Sequence, residues 1–301
     1  MPSLDLLVLI LSSQQQQLSP SRRRESVRRS WAFPMAILGA PNATAEEHCS
    51  MRHLFVVGGG TGAAHLGSPS GESDVLVLPV ADGYRQIAHK VLASLQWAVS
   101  QVRFRYLLKT DDDSYVCASR LLELLHPMPR AQLYLGVVNR DHKVIMAKGR
   151  TLYERWRDPT YIRLFNRSVY APYMQGAGYV LSADAAQHVV ARAQDLPAIP
   201  AIEDALVGTL LEGTASPVHR PAAFRHKNRD DYAVSVCAQD TEFVLLHKLN
   251  ESELGRCRQA TARRRSDACP GGPCVCANLG RKMKRPRRVV ARFADGAKAV
   301  L

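Results

Sequence analysis

The feature that most constrains the fold of this chain is an uninterrupted aliphatic run near its start, Leu6-Leu-Val-Leu-Ile-Leu11. A strand that is apolar at every position must be covered on both faces, as the central strands of parallel sheets are. The run contains far fewer than the roughly 20 apolar residues that a bilayer span needs. It therefore predicts a buried strand, and we expect neither a transmembrane segment nor a signal peptide within the chain.

Later segments alternate between strand-like and helix-like patterns. Val75–Leu78 and Phe104–Leu108 have the composition of strands, and Tyr84–Val99 between them places apolar residues on one helical face. Ala118–Leu125, Ala183–Ala193 and Ile202–Leu211 are further predicted helices. Strands that alternate with helices predict an α/β fold with a mixed, mainly parallel central sheet and helices on both sides.

The basic charge of the chain is concentrated at its end. Of the net charge of +13, residues 256–301 contribute +11, and residues 1–255 are nearly neutral. We therefore predict a main folded domain over 1–255, where any catalytic residues would lie, and a basic, cysteine-containing, poorly ordered tail over 256–301. The tail could bind polyanions or an anionic membrane surface, or simply be solvated, and it indicates no specific nucleic acid.

Cysteines and glycosylation sequons indicate an oxidising compartment. Three of the seven cysteines, Cys269, Cys274 and Cys276, lack the paired spacing of a zinc site, which leaves disulfides as the better interpretation. An odd number of cysteines leaves at least one of them unpaired within the chain. Asn-x-Ser/Thr sequons begin at Asn42, Asn166 and Asn250.

Three consecutive carboxylates, Asp111-Asp112-Asp113, come directly after the strand Phe104–Leu108. Ligands of open α/β sheets bind at the carboxyl ends of the strands, and adjacent carboxylates repel one another unless a cation relieves them. In extended backbone, Asp111 and Asp113 would face one way and Asp112 the other. The pair predicts a site for a hard divalent ion, although an acidic loop in water is the alternative.

Two further acidic residues and a histidine could complete such a site. Glu203-Asp204 opens a predicted helix, where carboxylates either cap the helix or act as a general base. His247 follows a predicted strand and is either a third metal ligand or a structural histidine. Gly176-Ala-Gly178 permits a close backbone approach or a tight turn.

In this order, these pieces resemble the β-1,3-galactosyltransferase family, glycosyltransferase family 31, from about Leu6 to Leu249. The motifs that carry the resemblance are Arg24-Glu-Ser-Val-Arg28-Arg-Ser-Trp31, Glu72-Ser-Asp74-Val-Leu-Val, Asp82-Gly-Tyr84 with Lys90 and Trp97, Lys109-Thr-Asp-Asp-Asp113-Ser-Tyr-Val116, Trp156, Tyr170-Ala-Pro-Tyr173 through Gly178-Tyr179-Val-Leu-Ser182, and Glu203-Asp-Ala-Leu-Val-Gly208.

The resemblance implies a GT-A-type fold, Mn²⁺ or another divalent cation, and a UDP-sugar donor. It also implies that Asp112 contacts the ribose or sugar of the donor. Arg24 and Arg28 either pair with carboxylates or lie near the nucleotide. The implied roles are metal binding for Asp111, Asp113 and His247, cofactor binding for Lys109, Asp112, Arg24 and Arg28, and catalysis for Asp204 as the base with Glu203 in support.

The expected activity is that of an inverting hexosyltransferase, which moves galactose or N-acetylglucosamine to a glycan hydroxyl in a β-1,3 linkage. The acceptor would be a glycan, glycoprotein or glycolipid, and the family places such enzymes in the Golgi membrane with a lumenal catalytic domain. The alternatives are a non-catalytic polyanion-binding protein that uses the basic tail, and a glycosidase that uses paired carboxylates without a metal. A degenerate, inactive transferase is disfavoured because Asp111, Asp113 and Asp204 are all present.

Overall fold

A computed structural model describes residues 3–14, 20–32, 36–38, 49–59, 62–68, 71–146, 154–226, 237 and 242–262. The strands are β1 (Leu4–Leu11), β2 (Ala36–Leu38), β3 (Cys49–Gly58), β4 (His65–Leu66), β5 (Val75–Leu78), β6 (Phe104–Asp111), β7 (Tyr115–Val116), β8 (Leu133–Gly136), β9 (Val138–Asn139), β10 (Tyr173–Met174), β11 (Gly178–Ser182), β12 (Ser216–His219), β13 (Phe224–His226) and β14 (Leu245–His247). The α-helices are α1 (Pro20–Ser30), α2 (Ile87–Gln101), α3 (Ala118–Leu125), α4 (Pro159–Phe165), α5 (Ala183–Gln194), α6 (Glu203–Leu211) and α7 (Glu251–Ala262).

The main sheet has the strand order β12-β8-β11-β6-β1-β3-β5-β4, and β2 also pairs with β3. The central strands β6, β1, β3 and β5 are parallel, whereas β11 is antiparallel to both of its neighbours. Strands β13, β14 and β7 form a separate small sheet. The predicted α/β class, with a mixed, mainly parallel central sheet flanked by helices, is confirmed.

Strand β1 is central because both of its faces are apolar. Leu6, Val8 and Ile10 pack on the side of α1, α3 and α7, whereas Leu7 and Leu9 pack on the side of α2, α5 and α6. Successive side chains of a strand point to opposite faces, so one aliphatic run contributes to both cores. The sheet is therefore covered by helices on each side, as the run predicts.

Several predicted elements agree closely with the structure, and others differ. Strand Val75–Leu78 and helix Ala118–Leu125 have the predicted bounds. Helix α4 was not predicted, although Asp158 caps it by accepting a hydrogen bond from the Tyr161 N–H and Pro159 occupies its first turn. A strand over Glu242–Leu246 is the prediction, whereas β14 covers Leu245–His247 and so includes His247 as its last residue.

Helix α7 crosses the boundary that was predicted after residue 255. Within this helix, Cys257 forms a disulfide with Cys237. Cys117 is also disulfide-bonded. The division into two regions remains a prediction, since residues 263–301, including Cys269, Cys274 and Cys276, lie outside the described residues. Within the described part of the chain, no helix is both long enough and apolar enough to cross a membrane.

Candidate metal and catalytic site

The aspartate triplet begins at the last residue of β6 and continues into a turn. Asp111 ends the strand, and the Ser114 N–H donates to the Asp111 carbonyl at 3.2 Å. The sequence argument assumes an extended backbone from Asp111 to Asp113, but the chain turns after Asp111. The expected grouping still holds, because the turn places Asp111 and Asp113 together while Asp112 has different partners.

Strand β14 carries His247 to the same place. It runs antiparallel to β7, with Leu246 opposite Tyr115, so its end lies beside the turn that precedes β7. After His247 the chain bends sharply at Lys248, whose φ of 67° is uncommon for a residue other than glycine. The bend lets the Leu249 N–H donate to the Asp113 carbonyl at 2.8 Å, which fixes His247 beside the aspartates.

Asp111, Asp113 and His247 form what we call the metal edge. One ligand atom of each residue lies within 4.8 Å of the others. Asp113 Oδ1 is 3.0 Å from His247 Nδ1, but the pair lacks hydrogen-bond geometry, and this buried oxygen has no hydrogen-bond partner in the described structure. Two carboxylates and an imidazole, with one carboxylate oxygen unsatisfied, fit a divalent cation such as Mn²⁺.

The carboxylate of Asp113 is held in its charged form. Burial would raise its pKa, but the nearby His247 ring, followed by the charge of Arg23, keeps the pKa below its usual value. A deprotonated carboxylate is the form that binds a metal ion. The electrostatics of the metal edge therefore agree with the geometry.

Asp112 faces away from the metal edge. Its Oδ2 accepts a hydrogen bond from Ser12 Oγ at 2.8 Å, and its Oδ1 lies 3.5 Å from Arg23 Nη1. Burial raises the pKa of this carboxyl, and the Ser12 hydrogen bond and Arg23 only partly offset the effect. Asp112 thus lies where the loop after β1 and helix α1 approach the end of β6.

The buried ammonium of Lys109 connects the metal edge to Glu203. Its Nζ is 3.1 Å from Asp111 Oδ1 and 3.4 Å from Glu203 Oε2, and it also donates to the Gly176 carbonyl. Burial would lower the pKa of Lys109, but these carboxylates raise it above its ordinary value. The Lys109 ammonium therefore lies between the metal edge and the start of α6 and contacts both.

Glu203 and Asp204 form the first turn of α6, yet neither of them is the N-cap, which is Ile202. Glu203 accepts a hydrogen bond from the Tyr179 hydroxyl at 2.5 Å, so it reaches across to β11. Asp204 Oδ2 accepts from the Gly176 N–H at 2.9 Å. A Cβ atom at position 176 would approach that oxygen to 3.1 Å, so the glycine permits the close contact.

Burial strongly perturbs Asp204. Burial first, and then the charge of Glu203, raise the pKa of this carboxyl to about 7 against the opposing charge of Lys109. The pKa of Glu203 is also raised by burial, with Lys109 and Tyr179 acting in the opposite direction. A carboxylate with a pKa near neutrality is suited to accept a proton at physiological pH.

Asp204 opens onto a cleft of about 500 Å³, which we call the aromatic cleft. Above it, the Trp156 indole N–H donates to the Tyr84 hydroxyl at 2.7 Å, and the guanidinium of Arg155 lies 4.4 Å from the Trp156 ring centroid. Such aromatic walls with a few polar groups are typical of sites for small ligands. The lining residues are Tyr84, Asp141, His142, Lys143, Ile145, Trp156, Tyr170, Tyr173, Ile202 and Asp204.

Arg24 and Arg28 are paired with carboxylates, which is the first of the two alternatives considered for them. Arg24 makes two hydrogen bonds to Glu72, at 2.9 and 2.8 Å. Arg28 contacts both Asp74, at 2.7 and 2.8 Å, and Glu72, at 2.8 Å. These pairs attach α1 to the segment that enters β5. Their contacts give both side chains a structural role in holding the helix.

Sequence reasoning missed Arg23, and it gave Tyr179 only as part of a family motif and not as a site residue. Five arginines lie in one helix, and nothing in their composition distinguishes the one that faces the aspartates. Tyr179 had a weak signal, since it follows the glycines that lead into β11.

A family model described as Galactosyltransferase matches residues 22–221. Hydroxyproline O-galactosyltransferase GALT2 of Arabidopsis thaliana is 28% identical over 121 residues, 40% of this chain and 16% of the relative. Beta-1,3-galactosyltransferase 6 of Mus musculus is 30% identical over 241 residues, 77% of this chain and 67% of the relative. The solved structure of galactosyltransferase LgtC, with donor and acceptor sugar analogues, has a TM-score of 0.38 and 9% identity, covering 84% of this chain and 95% of that one.

Proposed function

Because this chain belongs to the galactosyltransferase family, we propose that it transfers a hexose from a UDP-sugar to a glycan hydroxyl, with a divalent cation and with inversion at the anomeric carbon. The observation that carries the proposal is the contact of the Lys109 ammonium with both Asp111 and Glu203. That contact connects a set of metal-binding side chains to a carboxylate pair with raised pKa values. A transferase needs both, one for the leaving group and one for the attacking hydroxyl.

On the donor side, Asp111, Asp113 and His247 would hold the cation, and Mn²⁺ suits this ligand set. A cation there would neutralise the charge that develops on the leaving diphosphate. Asp112 would contact the ribose or sugar of the donor, as the family resemblance implies. Lys109 keeps Asp111 in place and balances part of the negative charge of the carboxylates.

On the acceptor side, Asp204 would take the proton from the attacking hydroxyl. Its pKa of about 7 makes it a stronger proton acceptor than an ordinary aspartate and leaves it largely deprotonated just above neutrality. Glu203 would support it from the buried side, where Tyr179 and Lys109 already hold its carboxylate. Attack from the face opposite the diphosphate converts an α-linked donor into a β-linked product.

The aromatic cleft would bind the acceptor. Tyr84 and Trp156 would supply apolar aromatic surface to a sugar, and His142 and Lys143 would supply polar groups in the same lining. The β-1,3 linkage, a galactose or N-acetylglucosamine donor, and a glycoprotein or glycolipid acceptor follow from the resemblance and are part of the proposal.

We place the enzyme in the Golgi lumen, at the membrane, as the family resemblance implies. The disulfide between Cys237 and Cys257 supports an oxidising compartment, because such bonds persist in the secretory pathway and are rare in the cytosol.

The activity is tested by measuring UDP release from UDP-galactose, UDP-N-acetylglucosamine and UDP-glucose, with p-nitrophenyl β-glycosides as acceptors. We expect one donor to be used with added Mn²⁺ and the reaction to stop in EDTA. Asp113→Ala should be inactive while retaining the circular dichroism spectrum of the wild type. Transfer at an undiminished rate in EDTA, or no release from any donor by the folded protein, would contradict the proposal.

A further inference from the structure

Helix α1 presents arginines in two directions. Arg24 and Arg28, one helical turn apart, face Glu72 and Asp74, and only 7% of the Arg24 side chain is exposed. Arg24 Nη1 also donates to the Ser13 carbonyl at 2.9 Å, which connects the helix to the chain that leaves β1. These contacts fix the rotation of α1 about its own axis.

Because the rotation of α1 is fixed in this way, the side chain of Arg23, the residue before Arg24, points towards Asp112 instead of Glu72 and Asp74. The Arg23 side chain is 43% exposed, and its Nη1 lies 3.5 Å from Asp112 Oδ1. That separation is at the limit of a hydrogen bond, and it is the one contact of the Arg23 guanidinium within the described part of the chain. Most of its donor groups therefore remain available to a ligand at the end of β6.

The negative charges at the end of β6 need a second cationic group that a bound diphosphate can contact. Asp111, Asp112 and Asp113 together with a diphosphate leave a surplus of negative charge even when a divalent cation is bound. Lys109 cannot contact such a ligand freely, since its side chain is 3% exposed and is surrounded by Asp111, Glu203 and the Gly176 carbonyl. Arg23 lies beside the same aspartates and is open to solvent.

We propose that Arg23 binds the diphosphate of the nucleotide-sugar donor and stabilises it as the leaving group; this inference rests on the proposed function. The planar guanidinium matches two phosphate oxygens at once, which an ammonium does not. In the reaction, the acceptor oxygen bonds to the anomeric carbon and its proton passes to Asp204. The bond from that carbon to the phosphate oxygen breaks, and the electron pair leaves with the diphosphate, beside Arg23.

The test compares Arg23→Ala, Arg23→Lys and the matched control Arg22→Ala, which removes the same charge from an adjacent, exposed position of the helix. Titration calorimetry in Mn²⁺ measures the Kd of UDP and of uridine for each protein. Loss of a charge-assisted, bidentate contact should weaken UDP binding by about 10- to 100-fold in Arg23→Ala. Uridine binding should not change, Arg23→Lys should be intermediate, and Arg22→Ala should bind UDP like the wild type.

Steady-state kinetics supply the second measurement. Arg23→Ala should lower kcat/KM for the donor by a similar factor and leave the KM of the acceptor unchanged. The inference is overturned if Arg23→Ala binds UDP normally, loses UDP and uridine equally, or is matched by Arg22→Ala. A wild-type protein that binds no UDP in Mn²⁺ overturns the proposed function as well, so the two failures are distinguishable.

Discussion

The metal edge and the aromatic cleft each contain an aspartate, and the pKa values of the two aspartates are shifted in opposite directions. At the metal edge, the His247 ring and Arg23 hold the pKa of Asp113 below its usual value, and its carboxylate stays charged. At the cleft, burial raises the pKa of Asp204 to about 7. The difference shows that the surroundings, and not the residue type, set the pKa of each aspartate, which suits Asp113 to the proposed cation and Asp204 to the proposed proton transfer. Variants of each region should therefore affect different kinetic parameters.

The largest effect is expected at the cleft. Asp204→Asn removes the proposed proton acceptor and should lower kcat by about 100- to 10,000-fold. Because Asp204 is not part of the metal edge, the Kd values of UDP and Mn²⁺ should stay close to those of the wild type. The matched control is Asp195→Asn, at an exposed position after α5, which should retain full activity. A kcat within tenfold of the wild type for Asp204→Asn would remove the general base from the account.

A smaller effect on a different parameter is expected at the metal edge. His247→Ala removes one of the three proposed ligands and should raise the Mn²⁺ concentration for half-maximal activity at least about tenfold. With saturating Mn²⁺, much of kcat should return, since Asp204 is intact. His219→Ala, on β12 and outside both regions, is the matched histidine control. An unchanged Mn²⁺ requirement in His247→Ala would show that the cation binds elsewhere.

The pH dependence distinguishes the two regions without mutation. Only deprotonated Asp204 can accept a proton, so kcat/KM should fall about tenfold per pH unit below 7 and level off above it. The raised pKa also means that the folded state favours protonated Asp204. Protonated Asp204 contributes fully to the free energy of unfolding below the ordinary aspartate pKa, and this contribution is lost as the pH rises through 7. The kcat/KM of Asp204→Asn should therefore no longer fall as the pH drops below 7. The same variant should be thermally more stable than the wild type at pH 8. A flat profile between pH 5 and 8 in the wild type would argue against Asp204 as the base.

Much of the fold follows from local sequence patterns. The apolar run at Leu6–Leu11 and the strand Val75–Leu78 form because aliphatic side chains are buried on both sheet faces. Helix α4 had a readable start in Asp158-Pro159 but was overlooked among basic and aromatic residues. The boundary predicted after residue 255 rests on charge alone and stays a prediction, although helix α7 crosses it and buries Leu254 and Cys257.

The site was predictable to the extent that strand ends determine it. Asp111 is the last residue of a buried strand and Asp113 lies just beyond it, and that position alone predicts a shared cation site. The contribution of Arg23 was not predictable, because it depends on how α1 is rotated by its pairs with Glu72 and Asp74. Likewise, the link through Lys109 needs β6, β11 and α6 to be assembled first, and no local pattern encodes that arrangement.

The most direct test of the account is to locate the cation in crystals grown with UDP and Mn²⁺. Anomalous diffraction near the manganese absorption edge identifies the metal independently of any assumed site. We predict one strong peak, bonded to Asp111, Asp113 and His247 and adjacent to the diphosphate. A peak at another place, or crystals of active protein with UDP bound and no metal at these side chains, would contradict the account.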